Sequence, residues 1–212
     1  FVLDAMHDPA DPHAPPPSAD TVTLVGHEDL RAPGALLVRA DGQVLLMDAD
    51  ANPDGHEGTP GVLYALGPDP NGAWTLDPIL APAETMSPLA LIETDDGLLY
   101  LIDCNEARDG VWADGALFRV DEHGLTKLID VHSLGRPHVL HDPALGDTLP
   151  DGRLVVADAS ADPLGLGPDG SKGFNGSGPG AILALDPRAR SVETLVASPH
   201  FVTPISVCRV RR

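Results

Sequence analysis

PGALLVRADGQVLLMDAD, residues 33–50, decides how this chain is read, because its pattern returns twice more. A proline opens an apolar run, an Asp-Gly pair follows, and a second apolar run ends in Asp48. The copies are PLALIETDDGLLYLIDCN (88–105) and, with an insertion, PHVLHDPALGDTLPDGRLVVADAS (137–160). Asp41-Gly42, Asp96-Gly97 and Asp151-Gly152 stand 55 residues apart, and so do Asp48, Asp103 and Asp158. Asp-Gly signals a hairpin because both residues tolerate positive φ. Downstream of each copy comes a Gly-led apolar run, GVLYAL from Gly61, GALFRV from Gly115 and GAILAL from Gly180. A fourth segment then closes each unit: WTLDPIL, LTKLID or VETLVAS.

Four in-phase features in three copies predict an all-β chain of four-stranded antiparallel units, with strands A to D joined by turns. A four-stranded sheet repeated at about 40–55 residues is the signature of a β-propeller blade. Composition agrees. The chain has 212 residues, with 22 Gly and 22 Pro, which favours turns over long helices. Thirty-two acids against 13 Lys plus Arg give a charge of −19, a surface that repels phosphate backbones, so no nucleic-acid partner is expected. No run approaches the ~20 apolar residues of a membrane-spanning helix, so no membrane span is expected either. Twenty-five of the acids are Asp, a residue suited both to turns and to hard cations. Cys104 and Cys208 lack zinc or redox spacing and read as a chance pair of buried thiols.

The repeat divides the single β region 1–212 into a partial blade (1–32), blades at 33–87, 88–136 and 137–203, and the first strand of another blade (204–212). FVLD at the start matches the end of a strand B, so that Asp4 answers to Asp48. TVTLV (21–25) matches a strand D, and DPHAPPPSAD lies where strand C belongs. PISVC from Pro204 matches a strand A. Two readings are open: a slice of a six-bladed ring, which is preferred, or a four-bladed ring closed by a composite of the terminal strands. An open arc would also let two copies form one ring, a homo-oligomer.

At these residues the chain resembles the NHL-repeat and gluconolactonase/senescence-marker (SMP-30, regucalcin-like) propellers, over nearly its whole length. The resemblance implies a six-bladed fold, a secreted or periplasmic setting and, in the gluconolactonase branch, a metal-dependent lactonase whose Glu-Gly-Pro ligand motif precedes a strand A. The corresponding positions here are Arg31-Ala32-Pro33, Met86-Ser87-Pro88, Gly135-Arg136-Pro137 and Val202-Thr203-Pro204, and none supplies the Glu.

Strand alternation puts the B–C and D–A loops on one face and the Asp-Gly hairpins on the other. Loops gathered on a rigid scaffold are where binding groups collect, so the first face is the candidate site. In its first loop, DADANPDGHEG, Asp50, Asn52, Asp54 and Gly55 fit half of a Ca²⁺ loop, with Asp48 or Glu57 to complete the shell, although the twelfth position is Gly61. A plain Asx-turn loop is the competing reading. Asp48, Asp103 and Asp158 either bind backbone groups of their own loops, the preferred role, or share a divalent cation, Ca²⁺ or another, at the channel mouth with Asn105. The third blade departs from the repeat through HDPALGDTLP and a long Gly-rich loop, and His138 at its strand A is the candidate acid/base. No nucleophile motif is present. The favoured reading is a propeller scaffold whose loop face binds a small molecule or a protein, Ca²⁺ stiffening its loops. The alternative is a metal-dependent lactonase, hydrolase or lyase.

Overall fold

A computed structural model of the chain describes residues 2–3, 22–23, 30–49, 61–81, 87–104, 115–134, 139–163, 178–198, 200–201 and 204–208. Three four-stranded antiparallel sheets carry the repeat. The first is β3 (Pro33–Val38), β4 (Val44–Asp48), β5 (Val62–Pro68) and β6 (Trp74–Leu80); the second is β7 (Pro88–Glu93), β8 (Leu99–Asp103), β9 (Ala116–Asp121) and β10 (Gly124–Asp130). The third is β11 (Pro143–Thr148), β12 (Leu154–Asp158), β13 (Ala181–Asp186) and β14 (Ser191–Ala197). Strand order follows chain order in each. The first strands lie side by side, β3 beside β7 and β7 beside β11, so they form the inner wall of an arc with β6, β10 and β14 as outer edges.

Period-2 alternation builds the interfaces between sheets. On β8, Tyr100 and Ile102 face the third sheet in one apolar cluster, while Leu101, with Leu99 packed beside it, belongs to the cluster shared with the first sheet. The Gly-led runs have a steric reason. A Cβ on Gly115 would lie 2.8 Å from the Leu140 carbonyl oxygen and 2.4 Å from the Pro143 ring. A Cβ on Gly180 would lie 2.4 Å from the Pro204 ring, and one on Gly61 2.7 Å from the Asp48 carbonyl oxygen with Pro88 at 3.3 Å. Each strand C therefore abuts the proline that opens the next strand A, and only glycine leaves the room.

Pro204 continues this seam, and Leu145 N–H donates to the Ile205 carbonyl at 3.2 Å. Residues 204–205 thus lie beside β11 and Gly180.

Three expectations are corrected. Strand A of the third unit begins at Pro143, not Pro137, and pairs Pro143 with Asp158 as Pro33 pairs with Asp48 and Pro88 with Asp103. HDPALGDTLP is therefore not an insertion between strands; most of it is the strand. Val2–Leu3 (β1) and Val22–Thr23 (β2) pair directly, as adjacent strands do, rather than as a strand B and a strand D with another between them. In the Asp-Gly hairpins only the glycine has positive φ, +87° at Gly42, +79° at Gly97 and +86° at Gly152. With Gly42 N–H bonded to the Arg39 carbonyl and Arg39 N–H to Gln43, each is a three-residue loop with glycine in the left-handed position. A helical turn, α1 (Val131–Leu134), follows β10, where Asp130 and Ser133 bond each other's backbone N–H groups.

Candidate functional site

Asp48, Asp103 and Asp158 end the second strand of each sheet and are fully buried. Their carboxylates reach back to the segment that enters their own sheet. Asp48 accepts from the N–H groups of Arg31 and Ala32 at 2.7 and 2.9 Å. Asp103 accepts from Ser87 N–H at 3.0 Å. Asp158 accepts from His141 and Asp142 at 2.9 and 3.1 Å, and also from Ser160 and Ala161 at 3.1 and 3.0 Å. A backbone bond repeats beside each: Ala49 N–H to the Ala32 carbonyl, Cys104 to Ser87, Ala159 to Asp142. The chain entering strand A needs partners for N–H groups that no strand supplies, and a carboxylate accepts several at once. Burial pushes the Asp158 carboxyl above its ordinary range, although the N–H bonds of Asp142, Ser160 and His141 pull it back.

The three latches differ at one matched pair of positions. Where the first sheet has Ala32 and Ala49, the second has Ser87 and Cys104, and the third has Asp142 and Ala159. The result is a polar group between the second and third sheets. The Cys104 thiol contacts Ser87 and the Asp142 carboxyl, and burial pushes it up to about 11. A thiol held protonated is a poor nucleophile. The expectation of two buried thiols is corrected for Cys208, which is exposed. Burial, and then the charge of Asp158, lift the Asp142 carboxyl above its ordinary range, while its contact with Cys104 opposes them. Asp142 is thus suited to holding a proton where an ordinary carboxylate would release it. Leu140, fully buried, is left-handed at φ 61° and offers its carbonyl to Gly115 N–H at 2.8 Å. That costly conformation turns the chain so that the next two N–H groups meet Asp158.

Of the residues singled out in the sequence, Asp50, Asn52, Asp54, Asn105 and His138 lie outside the described residues, as does most of the Gly-rich loop of the third unit. Asp48 is the described neighbour of the Ca²⁺-like loop, and its oxygens face the backbone N–H groups of Arg31 and Ala32. Among the described residues no three His, Cys, Asp or Glu side chains form a group able to hold a metal ion. Sequence reasoning missed Ser87, Cys104 and Asp142. The signal was available: each flanks a repeated Pro or Asp at a place held by alanine in another unit.

Blades of four antiparallel strands, set side by side with their first strands innermost, define a β-propeller. The chain's fold is similar to the crystal structure of selenomethionine-substituted virginiamycin B lyase from Staphylococcus aureus, with a TM-score of 0.50 and 12% identity. The match covers 89% of this chain and 50% of that one, so the chain spans about half the length of this relative. No protein-family model matches the chain, and neither does the sequence of any curated protein. Among the described residues no helix is long and apolar enough to cross a membrane.

Proposed function

We propose that the chain is a propeller scaffold of the NHL/SMP-30-like kind whose loop face binds a small molecule or a protein. One observation carries this reading: the acid that recurs in every unit is occupied by backbone N–H groups, at Asp48, Asp103 and Asp158 alike. Repetition of a group in every repeat is what structural work requires, since each repeat has the same loop to close. A divalent cation, Ca²⁺ first among them, would be held by Asp50, Asn52 and Asp54 and would stiffen the first loop. Calorimetric titration of chelator-treated protein with Ca²⁺, with the thermal midpoint followed in parallel, tests that role. Heat of binding with a raised midpoint supports it; a folded chain giving neither sinks it.

A lyase or hydrolase reading has one observation in its favour, the Asp142 carboxyl on the same face, which burial lifts above its ordinary range. The structurally similar protein is named a lyase. Here Asp142 would be the acid and His138 its partner. Turnover of a lactone or ester that survives both Asp142→Asn and His138→Ala would exclude this assignment.

A further inference from the structure

The two interfaces between sheets use matched positions, and they are not filled alike. Between the second and third sheets Tyr100, 4% exposed, shares one cluster with Leu154 and Leu185, each 0% exposed. Leu45 stands 55 residues before Tyr100, at the same place between the first and second sheets. The residues there that match the Leu154–Leu185 cross-strand pair are Leu99 and Val120, and both are only half-buried. Ile79 and Leu98 beside them are 51% and 40% exposed. With leucine in place of the ring, a cleft of about 500 Å³ opens at the hairpin end of the interface, with Leu45, Leu99 and Val120 in its wall and Arg39 and Arg119 at its rim. Its volume lies in the range of small-molecule sites.

We propose that this cleft binds a small molecule through an aromatic ring, which takes the space that Tyr100 fills at the neighbouring interface. The apolar wall supplies the burial of a ring, and the rim supplies polar contacts for its substituents. Arg39 is fixed by Glu93 at 2.9 Å, whereas Arg119, bonded to Asp121 at 3.2 Å, is 46% exposed and can lay its guanidinium against a ring. The site is on the face opposite Asp142 and does not depend on the loop-face reading.

The probe is p-cresol, the side chain of tyrosine as a free molecule. A concentration a few-fold above its dissociation constant should raise the thermal midpoint of the chain by about 2–4 °C. Leu45→Tyr, which copies the filled interface, should raise the midpoint without ligand and abolish the p-cresol shift. Tyr100→Leu should open a second cleft and take the calorimetric stoichiometry from one to two, an independent arm should Leu45→Tyr fail to fold. No shift in the parent chain, an equal shift in Leu45→Tyr, or unchanged stoichiometry in folded Tyr100→Leu would each overturn the proposal.

Discussion

Aspartate stands at both ends of every second strand, and the two ends use it in opposite ways. At the hairpin end Asp41 and Asp151 are exposed and accept from the N–H two residues on, Gln43 at 2.9 Å and Arg153 at 3.1 Å. At the loop end Asp48 and Asp158 are fully buried and bond N–H groups 16 and 17 residues back along the chain. One side chain thus makes a local turn at one end and a long-range closure at the other. The difference lies in what the backbone lacks at each place: a hairpin satisfies its own N–H groups, whereas a chain crossing between sheets does not.

The largest expected effect belongs to the loop end. Asp158→Ala leaves four backbone N–H groups, two buried and two part-buried, without their acceptor and should cost about 3–5 kcal/mol in chemical denaturation. A cost below about 1 kcal/mol would erase the distinction between the ends. Thiol chemistry sharpens the comparison next. Iodoacetamide at pH 8 should alkylate exposed Cys208 at least about tenfold faster than Cys104, whose burial holds it protonated, and the gap should narrow as pH approaches 11.

Asp142→Asn reads the loop end by pH. A carboxyl held above its unfolded-chain value binds its proton more tightly when folded. Its stabilising contribution is present at low pH and is lost as pH rises through the folded value. The amide should therefore stabilise the protein at pH 7, with the gain vanishing only below the unfolded-chain value of about 3.9, where parent and variant converge. A gain that persists unchanged at low pH would rule out this cause. At the hairpin end, Gly97→Ala, forced to φ +79°, should cost about 1 kcal/mol. Asp41→Ala should cost about 0.5 kcal/mol or less, the smallest change of all. The reverse ranking of these two would show that the side-chain cap, not the glycine, makes the turn.

Strands B, C and D were legible throughout because their apolar runs and their glycines are in phase in all three units. The third strand A was not. PHVL looks like a strand by its apolar content, while PALGDT carries Gly146 and Asp147. The fold nevertheless uses the second, and Gly146 fits there because a Cβ at that position would strike the Val155 carbonyl across the β11–β12 bulge. The 55-residue period alone points to Pro143, and apolarity outweighed it. The same slip hid the candidate site, since Asp142 matches Ala32 and Ser87 only once Pro143 is taken as the start. Placing the acids on one face and the hairpins on the other needed no more than alternation. That Leu45 and Tyr100 open and close the same gap follows only from packing between sheets.

The glycine–proline seam has a consequence for cooperativity. The first strands β7 and β11 are held twice, by the carboxylate of their own sheet and by the glycine of the sheet before. A cut between sheets would release the proline, and a cut at a hairpin would release the carboxylate. Neither a boundary between sheets nor one at an A–B hairpin leaves both holds intact, so the sheets overlap like roof shingles. Loosening one sheet strips its neighbour of a wall, and the arc is built to melt in a single step.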